Sequence, residues 1–347
     1  MDIRSFISRA FRTAFKDTWL YRWRVWSITR NEAAEVMTRY MDVESMSVQQ
    51  RKEILSQMKK ALILDGWQYY EFFMFHYRDI SKAQRKEFVT EFEKDNWTRK
   101  VNGEEVNRLF KDKWETYKQF AKFYKRDVIR VLSEKDKVEF DAFVSNHLEF
   151  IIKPIDGSLG QGIQKCKASD FSLVSLLQEY PSGVVLEELI MQEEEIGRLH
   201  PESVNTLRVH TVITKNGEKV LHPYIRMGRG NNVVDNAGKG GIFTKLDEST
   251  GVVVAAVDEF CHSFSIHPDS GMPLIGYQIP KFKEAIDLSK ELALVVPDAK
   301  YVGWDLALTS KGWAMIEGNT RAQFVFQIPK QEGFRKEFEI IKKEVLV

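Results

Sequence analysis

The chain has 347 residues, 43% of them hydrophobic and 29% charged, a composition suited to a globular protein of two or three packed subdomains. A formal net charge of +1 excludes a global field that would attract nucleic acid, and no nucleic-acid partner is expected. The two cysteines, Cys166 and Cys261, fit neither a disulfide framework nor a zinc spacing; with no long apolar run and no signal peptide, the chain is expected in the cytoplasm.

Residues 1–30 carry seven Lys/Arg against two Asp/Glu. Phe6, Ile7, Ala10, Phe11, Ala14 and Phe15 recur at helical spacing, and Trp19, Tyr21, Trp23 and Trp26 follow. Two readings stand. A basic amphipathic helix within residues 1–26 lies peripherally on the anionic inner face of a membrane, or its apolar stripe packs on the rest of the protein. The segments "SVQQRKEILSQMKKALILDG", "SKAQRKEFVTEFEKDN" and "KDKWETYKQFAKFY" each predict a helix, with Gly66 as a stop for the first.

From about residue 127 the texture changes. Short β-branched runs ("DVIRVL", "FIIKPI", "GIQKCK", "GVVLEELI", "TLRVHTVIT", "KVLHPYIRMG", "GVVVAAV", "YVGWDLALT") alternate with turn signals such as "DGSLGQG", "KNGEK" and "SKG". Helices are predicted at 168–180 and 280–294. The fold class is α+β with mainly antiparallel strands, preceded by a helical region.

One hairpin carries chemistry. In "YVGWDLALTSKGWAMIEGN", a three-residue loop "SKG" with Gly312 left-handed sets Asp305 opposite Glu317, with Asn319 on their face. The other face then pairs Trp304 with Gly318, Leu306 with Ile316 and Leu308 with Ala314. Carboxylates facing each other across a strand pair repel, and in an enclosed site one would protonate. A divalent cation removes the conflict, and hard oxygen donors suit Mg²⁺ with phosphate as co-ligand. A solvated face with scattered charges is the plainer alternative.

A phosphate site is legible in "FIIKPIDGSLGQGIQKCK". Lys153 ends a strand, and Gly157, Ser158, Gly160, Gln161 and Gly162 make a loop whose amides can approach phosphate oxygens. The spacing is neither that of a Walker loop nor that of a Rossmann turn. "GVVLEELI" ends a strand in Glu187 and Glu188 and runs to Ile190, exposing backbone groups and a carboxylate to an adenine edge. Glu194 or Glu195 follows as an acid for ribose hydroxyls.

Together these elements resemble the ATP-grasp superfamily over roughly residues 110–330. By that resemblance Lys113 and Lys153 are the two nucleotide-binding lysines, "DGSLGQG" the phosphate loop and "LEELI" the adenine hinge. Asp305, Glu317 and Asn319 are the metal ligands. The implied organisation is a helical region over 1–110, an ATP-grasp N-lobe over 111–190 and a C-lobe over 191–347. "SVNTLRVHTVI", "HPYIRMGRGNNVVDNAGKGGI" and "YVGWDLALTSKGWAMIEGNTRAQF" are more narrowly similar to the sugar-transfer-associated ATP-grasp proteins, related to α-L-glutamate ligases. The helical start departs from the Rossmann-like domain of many ATP-grasp enzymes.

The resemblance implies ATP and Mg²⁺ as cofactors and a carboxylate–amine ligase acting through an acylphosphate. It further implies an amino acid or amine joined to a small-molecule or saccharide carboxylate, in cell-surface polysaccharide biosynthesis. Arg208 is expected near the transferring γ-phosphate, oriented by Asn205, and Arg226 on the substrate carboxylate. Arg229 is a further candidate or a surface ion pair, His210 a candidate base or a structural histidine, and residues 231–243 a lid or a plain loop. A phosphotransferase and a nucleotide-binding scaffold for a membrane glycosyltransferase remain as alternatives.

Overall fold

Two antiparallel sheets form the body of the computed structural model, which describes residues 18–155, 163–230 and 240–345. The smaller sheet holds β1 (Val128–Val131), β2 (Glu149–Pro154), β3 (Gln164–Lys167) and β4 (Val184–Glu188), in the order β1-β4-β2-β3. The larger holds β5 (Thr206–Thr214), β6 (Gly217–Met227), β7 (Ile242–Leu246), β8 (Val253–Val257), β9 (Tyr301–Thr309) and β10 (Gly312–Asn319), in the order β10-β9-β5-β6-β7-β8. The helical region expected before the sheets begins, among the described residues, at Trp19.

The larger sheet is buried on both faces, as its nearly continuous apolar strands require. Leu207, Val209, Ile225, Trp304 and Leu306 pack with the helix Phe282–Val295 and with Phe120. On the opposite face, Val212, Tyr224, Tyr301 and Phe324 share a core with Met37, Phe72 and Trp97 of the helical region. Trp97 meets the Tyr301 ring edge-on at 5.5 Å. Beside it, the buried Asn102 donates to Tyr301 O at 2.8 Å and to Thr320 O at 3.3 Å, and accepts from Tyr301 N at 2.9 Å. The helix Glu91–Lys111 thereby holds both ends of the β9–β10 hairpin in place.

Gly66 ends its helix as expected, in a left-handed conformation at φ 77°, after a π-helical turn over Ala61–Asp65. The single helix predicted from "SKAQRKEFVTEFEKDN" is instead two, Lys82–Arg85 and Glu91–Lys111. Phe88 and Val89 between them are buried, and Gln327 clamps Val89 by accepting from its N–H (3.0 Å) and donating to its carbonyl (3.1 Å). Tertiary hydrogen bonds replace a helical turn there, and Thr90 caps the restart by accepting from Glu93 N. Among the described residues, no helix is long and apolar enough to cross a membrane.

A buried carboxyl ties two helix starts together. Glu71 accepts from Gln68 N at 2.7 Å and from Glu91 N at 2.8 Å. Burial, reinforced by the neighbouring Glu91, pushes its pKa up to about 8 despite these bonds and Lys94. Between the ordinary glutamate pKa and 8, the folded state therefore holds a proton that the unfolded chain has released. Stability should fall as pH rises through that window, at up to about 1.4 kcal/mol per unit. Urea unfolding between pH 5 and 8 should show this slope in the wild type and a flatter one in Glu71→Gln; equal slopes would show that Glu71 is ionised throughout.

Candidate active site

The β9–β10 hairpin sets the geometry. Its turn leaves only Ser310 and Lys311 between the paired Thr309 and Gly312, and Gly312 is left-handed at φ 88°. Leu308 faces Trp313 and Leu306 faces Met315, not the Ala314 and Ile316 expected from a three-residue loop. A bulge between Met315 and Glu317 then inserts one residue. Beyond it Asp305 faces Glu317, Trp304 faces Gly318 and Gly303 faces Asn319. The bulge reverses the alternation of β10. Trp313 and Met315 enter the core beneath the sheet, while Glu317 and Asn319 emerge on the face of Asp305.

That face carries a row of charge. Asp305 is directly opposite Arg208 on β5 and is almost fully buried. Arg208 grips it with two donors, Nε to Oδ1 and Nη2 to Oδ2 at 2.7 Å. Arg226 Nη2 adds a contact to Oδ2 at 3.1 Å, and Thr206 Oγ1 orients Arg226 by accepting from its Nε and Nη2 at 3.1 and 2.9 Å. Burial alone would raise the Asp305 pKa; the two guanidinium groups outweigh it and hold it at about 2. Glu317 differs. Its enclosure by protein and the neighbouring Asp305 raise its pKa, although solvent still reaches it through an open cleft. Asn319 Nδ2 donates to Glu317 at 2.8 Å and lies 3.5 Å from Asp305 Oδ2.

The smaller sheet supplies cations. Lys153 on β2 pairs with Glu187 on β4 at 2.7 Å. Lys113, at the first turn of the helix Lys113–Tyr124, donates to Pro154 O at 3.0 Å. Burial and the nearby Lys153 lower the Lys113 pKa. Arg126, which the sequence reading did not single out, joins the two sheets. It bonds Glu187 Oε2 through Nε and Nη2 at 2.9 and 2.6 Å, and donates through Nη1 to Met315 O at the bulge at 2.6 Å. Arg126 and Lys153 overcome the burial of Glu187 and hold its pKa at about 2.

The structure thus brings together Lys113, Lys153, Glu187, Arg208, Arg226, Asp305, Glu317 and Asn319. Other expectations change. Both oxygens of Glu187 are occupied by cations, so its carboxylate holds Lys153 and is not free for an adenine amine. Glu188 turns to the other face of β4 and accepts from Asp127 N at 2.9 Å, near His147, which pairs with Asp127. Ile190 lies in the connector after β4, and Glu194 is exposed on the helix Glu194–Gly197, paired with Arg198. Asn205 does not touch Arg208; it ties its own segment by donating to Ile196 O and His200 O at 3.0 and 3.1 Å. Arg229 pairs with Asp258 at 3.3 Å. His210 is fully buried among Tyr224, Tyr301 and Phe326, and neither ring nitrogen has a hydrogen-bond partner among the described residues. Burial and Arg208 push its pKa well down, so the ring is held neutral among the aromatic side chains. Gly157, Ser158, Gly160, Gln161, Gly162 and residues 231–239 of the expected lid lie outside the described residues.

The donor chemistry fits a hard divalent cation. Asp305, Glu317 and Asn319 offer side-chain oxygens on one face; Asp305 Oδ2 already accepts from Arg208 and Arg226, and Asp305 Oδ1 and the Glu317 carboxylate keep lone pairs beyond the bonds described. Glu317 has no ion-pair partner among the described residues. The site also sets the basic groups of Lys113, Lys153, Arg126, Arg208 and Arg226 against the carboxylates of Glu187, Asp305 and Glu317. That excess suits a polyphosphate.

A family model described as sugar-transfer associated ATP-grasp matches residues 93–343, well over half of the chain. The chain belongs to that family. No curated protein matches the sequence. Among solved structures, the ADP complex of purK, an N5-carboxyaminoimidazole ribonucleotide synthetase, is 13% identical with a TM-score of 0.42, covering 66% of this chain and 50% of its own. The ATP-grasp ligase PsnB with a minimal precursor is 11% identical with a TM-score of 0.44, covering 73% and 67%. D-alanyl-alanine synthetase A from Vibrio cholerae is 11% identical with a TM-score of 0.43, covering 68% and 65%. This ATP-grasp chain therefore spans half the length of the first of these and about two thirds of the others. At such low identity no residue role passes from them to this chain.

Gly303 lets the row close. A Cβ there would stand 2.3 Å from the Ala322 Cβ and 3.3 Å from the Arg208 Cδ. Gly303→Ala should lower stability by about 1–3 kcal/mol through overpacking. Urea denaturation measures the loss; an unchanged midpoint would show that Ala322 gives way freely.

Proposed function

We propose that the protein is an ATP-dependent carboxylate–amine ligase, joining an amino acid or amine to a sugar acid in cell-surface polysaccharide biosynthesis. Family membership supports nucleotide chemistry. The observation that carries the reading is the row Glu317–Asp305–Arg208 with Arg226 beside it, facing Lys153 and Lys113. In this reading the helical region through residue 110 supports the site, 111–190 is the N-lobe and 191–347 the C-lobe.

Lys153 and Lys113 neutralise the triphosphate. Asp305, Glu317 and Asn319 would hold magnesium, which would supply charge neutralisation at the phosphates. Arg208, fixed in one orientation by Asp305, meets the charge on the transferring phosphoryl group, and Arg226 holds the acceptor carboxylate in line. The carboxylate oxygen forms a bond to the γ-phosphorus as the bond to the β–γ bridging oxygen breaks, and ADP leaves. The amine then attacks the acyl carbon, forming C–N; the C–O bond to phosphate breaks, with the electron pair leaving on phosphate. In balance, ATP, carboxylate and ammonium give amide, ADP, phosphate and one proton.

Glu317→Gln and Lys153→Ala should each lower substrate-dependent ADP release by at least about a hundredfold while circular dichroism stays unchanged. A screen of amino acids and uronic acids, with mass spectrometry of the product, checks the bond formed. A phosphorylated product in place of an amide would favour a phosphotransferase, and full activity in both variants would remove the site.

The same reading places the protein at the inner membrane face. Trp19 and Trp23, one helical turn apart, are 57% and 52% exposed on the helix Trp19–Tyr40, close to Arg22 and Arg24. Exposed tryptophans beside basic residues suit an anionic interface. The double variant Trp19→Ser/Trp23→Ser should sediment with phosphatidylglycerol vesicles several-fold less than the wild type, with ADP release in solution unchanged. No sedimentation of the wild type would end the membrane assignment.

A further inference from the structure

A cavity of about 250 Å³ lies between the helical region and the larger sheet. The rings of Tyr40, Phe75, Phe243 and Phe324 form part of its wall. Three carboxyl groups, of Glu71, Glu91 and Glu259, also line it, against the single guanidinium of Arg39. Two of the three already have a cation. Glu259 pairs with Arg39 at 2.5 Å, and Glu91 with the buried Lys94 at 2.6 Å. Glu71 has no ion-pair partner among the described residues; its bonds are to the backbone of Gln68 and Glu91.

The cavity borders the catalytic row. Phe243 on β7 is the direct cross-strand partner of Arg226 on β6. Their side chains therefore share a face, with Cβ atoms about 5 Å apart. Gln323 and Phe324, which line the cavity, follow shortly after Asn319, and Gln323 is anchored by donating to Tyr70 Oη at 3.0 Å. The wall of the cavity begins where the charged row ends.

The lining selects one chemistry. A polyhydroxyl ligand needs many free donors and acceptors, yet Gln327 spends its amide on Val89, Phe324 and Phe334. What remains is aromatic surface, the hydroxyls of Tyr40 and Tyr70, and Glu71, the one carboxyl of the three with no ion-pair partner among the described residues. Ring faces attract cations, and an ammonium at Glu71 would favour release of the proton that burial keeps on its carboxyl. We propose that this cavity binds the amine substrate in its ammonium form, carried on a compact body with a ring or apolar chain. The proposal rests on the ligase reading and names the second substrate of the same site. The ammonium loses its proton as it leaves Glu71 for the acyl carbon beside Arg226.

Calorimetric titration of the full chain at about pH 9, where Glu71 is ionised and the amines are still protonated, tests it, with phenethylamine and cyclohexylmethylamine as probes and 2-phenylethanol and cyclohexylmethanol as their uncharged counterparts. Each amine should bind at least about tenfold tighter than its alcohol, and Glu71→Gln should bring the two together. Equal affinity of amine and alcohol for the wild type overturns the proposal, and this comparison needs no variant to fold. An unchanged amine preference in a folded Glu71→Gln also overturns it. Preferential amine binding without any amide formation upholds the cavity assignment and removes the ligase reading. Amide formation without that preference removes the cavity assignment alone.

Discussion

Asp305 is held by two guanidinium groups inside a sheet that is buried on both faces. Neither charge could stay there alone. Removing one partner of such a pair leaves an uncompensated buried ion, at a cost of about 3–5 kcal/mol. The bond between Arg208 and Asp305 therefore fixes more than a side chain. It sets the direction in which Arg208 points and holds β5 against β9, and it keeps the Asp305 charge that, after burial, raises the pKa of Glu317. Every chemical property assigned to the site follows from that pair being dry and closed.

The pair also explains the other packing around it. Gly303 has no Cβ because Ala322 and the Arg208 side chain occupy that volume. His210, next along the same face, is enclosed by aromatic rings and is discharged by burial and by its cationic neighbour. Asn102 secures the first residue of the hairpin and the residue just after it from a helix about two hundred positions away along the chain. The helical region thus covers the larger sheet, supports the hairpin from behind and, with the sheet, encloses a cavity beside Arg226.

The hairpin shows what a sequence can and cannot disclose. Opposed carboxylates at Asp305 and Glu317, and the amide at Asn319 on their face, were legible because a three-residue loop and a two-residue turn followed by one inserted residue give the same pairing at that point. The route to that pairing was not, because a bulge leaves no fixed residue signature and "SKG" reads equally well as a two- or three-residue turn. Lys153 was legible as a charge ending an apolar strand beside glycines. Arg126 was not, since its importance comes from reaching a carbonyl on β10 and a carboxylate on β4 at once, and neither is near it in sequence. Glu187 and Glu188 looked alike in the chain; alternation along β4 sends one into the cleft and the other to Asp127. The break between the helices at 82–85 and 91–111 depended on Gln327, a partner that no local propensity could reveal.

Arg126 has a mechanical consequence. It fastens a strand of the smaller sheet to the edge strand of the larger one at a buried corner. A rotation that parts the sheets and keeps these bonds turns about that corner. Glu187 and the Lys153 ammonium it holds sit close to the pivot and sweep a short arc. β3, at the far rim of its sheet, sweeps the longest. In such a rotation the outer rim opens widest while the positive charge nearest the pivot stays almost where it was.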